Sequence, residues 1–136
     1  MKTHCLRLIE GEDIKESISN YCKKNNILAA VVISSAGCVK KAVIRDAGGK
    51  ESHSIDEGME VISVNGTVSK YRIHLHISFS KKDLSVIGGH MQEGCIVNTT
   101  CELVILELDN TVFNSEFDPS TGYDEIDISF SNTHQQ

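Results

Sequence analysis

Within Ile73-His74-Leu75-His76-Ile77-Ser78-Phe79, two histidines are separated by a single apolar residue, and a third, His90, follows the glycine pair Gly88-Gly89. Side chains alternate across a β-strand, so Ile73, Leu75, Ile77 and Phe79 share one face and His74, His76 and Ser78 the other. The two imidazoles then stand about 7 Å apart on the non-core face. Ser80-Lys81-Lys82-Asp83-Leu84 is polar and suited to a turn. A three-residue turn at Lys81-Lys82-Asp83 places Ser80 opposite Leu84, His76 opposite Gly88 and His74 opposite His90. Facing Cβ atoms in such a hairpin lie about 5 Å apart, so the three imidazoles converge, with Gly88 leaving space beside them. A slip of one residue would send His90 to the other face.

Three imidazoles suit Zn²⁺ at about 2.0–2.1 Å and leave a fourth tetrahedral position open. An ion with an open position polarises a carbonyl or acidifies a bound water. The competing reading is a patch of exposed or interface histidines. Glu60 and Glu102 each interrupt an apolar strand, as in Met59-Glu60-Val61-Ile62 and Cys101-Glu102-Leu103-Val104. Either is a candidate proton-transfer group or partner to a histidine, set against the plain alternative of a strand residue facing outward. His4, His53 and His134 have no evident partners in sequence, and Gly88-Gly89 is no phosphate loop, since no helix or lysine follows it.

The elements that must hold these residues are mostly strands. Cys5 to Ile9 reads as a short strand. Gly11-Glu12-Asp13 opens a helix in which Ile14, Ile18, Tyr21 and Cys22 recur at helical spacing, with Lys23-Lys24 in its last turn and Asn25-Asn26 as its stop. Leu28 to Ser34 is an apolar β-branched run that Gly37 breaks, with Val39 to Arg45 continuing as its partner. Met59 to Val64 leads into Asn65-Gly66, a hairpin signal, and then Thr67 to Ser69. Leu103 to Leu108 is a second core strand. Phe113, Phe117 and Ile126-Asp127-Ile128 mark shorter closing strands around the turn Asp118-Pro119-Ser120. One helix and about eight strands over residues 1–136 make a single α+β domain with a largely antiparallel sheet.

Nineteen acidic against thirteen basic residues leave a net charge of −6, which disfavours direct binding to phosphate backbones. The paired lysines Lys23-Lys24, Lys40-Lys41 and Lys81-Lys82 read as solvated turns. The five cysteines, Cys5, Cys22, Cys38, Cys95 and Cys101, show no C-x-x-C spacing and no leader precedes them, which points to reduced thiols in the cytoplasm. No apolar run approaches a membrane span.

Several stretches, in order along nearly the whole chain, resemble the PPC or PCC (plants and prokaryotes conserved) domain. They are Leu6-Arg7-Leu8 with Gly11-Glu12-Asp13-Ile14, Ala29 to Gly37, and Met59-Glu60-Val61-Ile62-Ser63-Val64-Asn65-Gly66. His74-Leu75-His76-Ile77-Ser78 with Gly88-Gly89-His90 is the most specific, followed by Gly94, Glu102-Leu103-Val104-Ile105, and Phe117-Asp118 with Thr121-Gly122-Tyr123. The resemblance implies a compact α+β domain that assembles as a homotrimer. In plants the domain follows AT-hook segments that bind DNA and itself mediates protein contacts. Stand-alone prokaryotic members are labelled predicted DNA-binding proteins. This chain has no Arg-Gly-Arg-Pro hook, and Ser115 stands where an arginine is expected. The fold is also similar to that of acetolactate decarboxylase, a zinc enzyme whose metal is held by an H-x-H pair and a third histidine, a pattern that His74, His76 and His90 match. The decarboxylase also uses a glutamate and an arginine near its metal; neither has an assigned match here, where Arg7, Arg45 and Arg72 are the only arginines, so decarboxylation does not carry over. Two roles follow from the resemblance. One is a trimeric regulatory binding module with a three-histidine metal site and a protein partner or small ligand. The other is a zinc-dependent lyase or hydrolase acting on a small carbonyl or carboxylate metabolite.

Overall fold

In the computed structural model, which describes residues 1–131, alternation of apolar and polar residues builds nine strands and one helix. In order they are β1 (Lys2–Ile9), α1 (Ile14–Lys24), β2 (Ala30–Arg45), β3 (Ser52–Ile55), β4 (Met59–Val68), β5 (Ile73–Ser80), β6 (Val86–Met91), β7 (Ile96–Glu107), β8 (Thr111–Asp118) and β9 (Tyr123–Phe130). All pairings between these strands are antiparallel, in the order β1-β7-β2-β4-β5-β6 with β3 beside β2. β6 also returns to pair with the end of β2, so β2, β4, β5 and β6 close into a ring. β8 and β9 form a separate two-stranded sheet.

α1 starts where Asp13 caps it, the Asp13 carboxylate accepting the Glu16 amide N–H at 3.0 Å, and it ends at Asn25. Its Ile14, Ile18 and Cys22 enter the core formed by Val32, Val64, Leu75, Ile77, Phe79, Leu103 and Ile105. The odd residues of β5 are buried, as the alternation requires, which leaves His74 and His76 on the outer face.

Two glycines behave differently from the sequence expectation. Gly37 does not separate two strands but lies inside the 16-residue β2, which bulges there. A Cβ on Gly37 would sit 2.3 Å from the Thr100 carbonyl oxygen, so glycine permits β7 to press against the bend in β2. Asn65-Gly66 is likewise not a hairpin turn: both residues pair within β4, opposite His76 and Leu75. Gly66 has φ 147° and faces the His74 carbonyl at a distance no Cβ would allow, so it marks a close backbone approach instead.

Candidate metal centre

The β5–β6 register decides which side chains meet. His76 lies directly opposite His90, Ser78 opposite Gly88 and Ser80 opposite Val86. This register is two residues away from the one a three-residue turn would give, because the turn spans residues 81–85. Within it Leu84 takes φ 71°, its N–H donates to the Lys81 carbonyl at 2.9 Å, and Asp83 accepts from the Ser85 amide and hydroxyl at 2.9 and 2.6 Å. A shift of two keeps every side chain on its face. The histidines therefore still converge, but His90 faces His76 instead of His74, and Gly88 faces Ser78.

Ring centroids of His74, His76 and His90 are 5.3, 5.4 and 5.8 Å apart pairwise, and one ring nitrogen from each lies within 4.8 Å of the others. Gly88 and Gly89 make this possible. A Cβ on Gly88 would meet the Ile77 carbonyl oxygen at 2.7 Å, and one on Gly89 would meet that of Arg45 at 2.6 Å. Only glycines let β6 squeeze between β5 and the end of β2. The same closure places Arg45 opposite His90 and Asn65 opposite His76. Arg45, His90, His76 and Asn65 thus form a transverse row across β2, β6, β5 and β4.

This row lines a cavity of about 510 Å³ together with His74, Ser63, Ser78, Gly88, Gly89 and Asp46. Partial burial pushes the His90 imidazole down to about 4, reinforced by the Arg45 guanidinium and the other two histidines. His74 is lowered as well, first by burial and then by the charge of Arg72. Both rings are therefore neutral at pH 7 and hold a lone pair free for a cation. The Nε atoms of Arg45 and Arg72 are buried without hydrogen-bond partners among the described residues. Three imidazoles converging on an open cavity are a donor set that fits Zn²⁺, and among the described residues no cysteine or carboxylate joins this group as a fourth ligand.

The two glutamates singled out from sequence stand elsewhere. Glu60 pairs with Ser80, four residues along β5 from His76 and so about 13 Å away by strand rise, and lines a different groove with Lys81 and Asn98. Glu102 lies on β7 opposite Arg7 and Ala36, in a third groove with Cys5 and Ser34. Both face outward, and neither lines the histidine cavity. His4 and His53, which lack partners in sequence, have them in space. The ring nitrogens of buried His4 lie 2.8 Å from the Tyr21 hydroxyl and 2.9 Å from Glu107, tying α1 to β1 and β7. His53 lies 2.7 Å from Asp46, whose carboxyl is lowered mainly by that hydrogen bond, and Glu51 completes a second, exposed group. His134 lies outside the described residues. Arg45 and Asn65, which flank the histidines, carry no local signal. They reach the site only through pairings between β2 and β6 and between β4 and β5.

An antiparallel α+β domain closed by a β2–β6 pairing, with three histidines on its outer face, is the class that fold and site define. Residues 1–109 match the Plants and Prokaryotes Conserved (PCC) domain, and the chain belongs to that family. A solved hypothetical protein from Salmonella enterica is 35% identical and superposes with a TM-score of 0.91, covering 95% of this chain and 94% of that one. A metal-containing protein from Archaeoglobus fulgidus is 30% identical with a TM-score of 0.79, covering 93% of each chain. The chain is also 29% identical over 128 residues to a bifunctional protein GlmU of Synechococcus sp. (strain JA-3-3Ab). That match takes in 94% of this chain and spans only about a fifth (21%) of the relative.

Proposed function

We propose that this protein is a homotrimeric PCC-domain binding module that holds one zinc ion per chain through His74, His76 and His90. The observation that carries the reading is the convergence of three imidazoles on an open cavity, two of them kept neutral at pH 7 by burial and neighbouring guanidinium charge. The metal-containing relative from Archaeoglobus fulgidus supports it. Bound zinc would supply Lewis acidity toward an oxygen donor placed in the cavity. His74, His76 and His90 would hold it, Asn65 and Ser78 would offer hydrogen bonds to that donor, and Arg45 would add positive charge at one wall.

Trimer formation is supported by apolar side chains left on the outside of a single chain. Ile33 and Ile62 on the sheet and Phe117, Ile128 and Phe130 on the β8–β9 hairpin are exposed. No helix among the described residues is long and apolar enough to cross a membrane. The five free thiols suit the cytoplasm. The charge of −6 favours a protein partner or small ligand over direct binding to DNA.

The second reading is a zinc-dependent lyase or hydrolase of the acetolactate-decarboxylase-like kind, acting on a small carbonyl or carboxylate metabolite. The open cavity beside the histidines favours it, since a purely structural zinc site is closed by four protein ligands. Zinc titration of chelator-stripped protein by calorimetry tests the common core of both readings. One zinc per chain, abolished in His90→Ala, is expected. Equal uptake by that variant would remove the three-histidine site.

A further inference from the structure

The β2–β3 hairpin gathers Asp46, Glu51 and His53 into a second group of ligand-bearing side chains, apart from the three histidines. Arg45 pairs with Ser52 and Ile44 with His53, and the Asp46 N–H donates to the Glu51 carbonyl at 3.1 Å, which carries the register one step further. Asp46 therefore faces Glu51 directly, and His53, two residues along β3, lies on their side of the hairpin. One ligand atom from each lies within 4.8 Å of the other two. Like charges directly opposite one another destabilise a strand pair. Arg45 and Lys50 adjoin this pair in sequence, yet among the described residues no lysine or arginine comes within 4 Å of either carboxylate. What reaches Asp46 is an imidazole: His53 Nε2 lies 2.7 Å from Oδ2, while Oδ1 accepts the Gly48 N–H at 2.9 Å and fixes the carboxylate plane. Two neighbouring ligands at right angles on one divalent ion, with bonds near 2.1 Å, stand about 3 Å apart. The His53–Asp46 pair has to open by only a few tenths of an ångström to admit one.

We propose that Asp46, Glu51 and His53 bind a divalent cation of the Mn²⁺ kind, separate from the ion assigned to His74, His76 and His90, with water completing its coordination. Carboxylate oxygens suit hard cations and imidazole suits the transition series, so two of one with one of the other favour Mn²⁺ more than three imidazoles do. The bound ion takes the place of the His53–Asp46 hydrogen bond and screens Asp46 from Glu51. Water screens the exposed carboxylates, so this site is the weaker of the two and fills only at higher cation concentration. Its place in the fold gives it a consequence. Ile44 and Arg45, beside Asp46, pair with Met91 and His90, so a cation joining β2 to β3 braces the strand end on which β6 closes.

Mn²⁺ titrated into chelator-stripped protein tests the site, with the free ion followed by electron paramagnetic resonance. The chains compared are His76→Ala alone and His76→Ala combined with His53→Ala, Glu51→Gln or Glu93→Gln. His76→Ala breaks the three-histidine cluster, so Mn²⁺ that this chain still takes up reports the hairpin site whether or not the first site binds metal. Uptake of about one Mn²⁺ per chain is expected, weakened about tenfold or more by His53→Ala and by Glu51→Gln. Glu93→Gln, which removes an exposed carboxylate elsewhere, should leave it unchanged. All three added substitutions lie at exposed side chains, and circular dichroism on the same samples should be the same throughout. No uptake by His76→Ala, or uptake that His53→Ala and Glu51→Gln leave intact, would overturn the site. So would an equal loss in Glu93→Gln, which would reduce the binding to diffuse attraction by a chain of net charge −6. The three-histidine reading fails by a different result, equal zinc uptake by wild type and His76→Ala.

Discussion

Arg45 at the end of β2 lies directly opposite His90 on β6, and burial together with that guanidinium holds the His90 imidazole down to about 4. An unfolded histidine titrates near 6.5, so between these values the unfolded chain binds more protons than the folded one. Stability of the metal-free protein is therefore full above about pH 6.5 and is lost as pH falls toward 4. His74, also lowered, acts in the same direction. We expect the urea midpoint of stripped protein to drop between pH 7 and 4.5 and His90→Gln to show a shallower drop. An equal drop in the variant would mean that His90 is not a source of the acid sensitivity.

Gly89 is a position where an added methyl group would disturb the site. Its added Cβ would sit 2.6 Å from the Arg45 carbonyl oxygen, a backbone atom that cannot rotate away. Gly89→Ala should cost about 1–3 kcal/mol by overpacking and weaken zinc uptake, because the β2–β6 closure that aims His90 must open. Denaturant midpoints and zinc calorimetry read the two effects. A variant with wild-type values in both would show that the close approach is not needed.

Much of this site is legible in the sequence because it follows from alternation, which is local. The odd face of Ile73 to Phe79 is core and the even face carries His74 and His76, as the pattern requires. The partner of each histidine is not legible to the residue, because it depends on the conformation of one turn. Leu84 adopts a left-handed backbone and Asp83 bridges to Ser85, which lengthens the turn to five residues and moves the register by two. Convergence survives since two is the period of the strand. Gly37 and Asn65-Gly66 mislead for one shared reason: a glycine required for close contact between strands looks the same in sequence as a glycine that breaks them. Arg45 is invisible because its partner His90 is 45 residues away, and the pairing exists only once β6 closes on β2.

Asp13 tests how the helix is fastened. One oxygen accepts the Glu16 N–H at 3.0 Å, and the other accepts the Gly94 N–H at 2.6 Å in the β6–β7 connection. Asp13→Ala should destabilise the fold by about 1–2 kcal/mol while zinc stoichiometry stays at one per chain. An unchanged thermal midpoint would show that solvent replaces both contacts at no cost.

Assembly is tested by light scattering. A homotrimer should give about three times the 14.9 kDa of one chain, and Ile128→Ser with Phe130→Ser should reduce that mass by removing apolar surface from the β8–β9 hairpin. The mass of a single chain for the wild type would contradict the trimer.

The most direct measurement of the central claim is elemental analysis of protein purified without an affinity tag, made on wild type and on His76→Ala. His76 is exposed on the outer face, so its loss should leave the fold intact and the circular dichroism unchanged. We expect close to one zinc per chain in the wild type and none in the variant. Metal retained equally by His76→Ala, or absent from both, would contradict a site built from His74, His76 and His90.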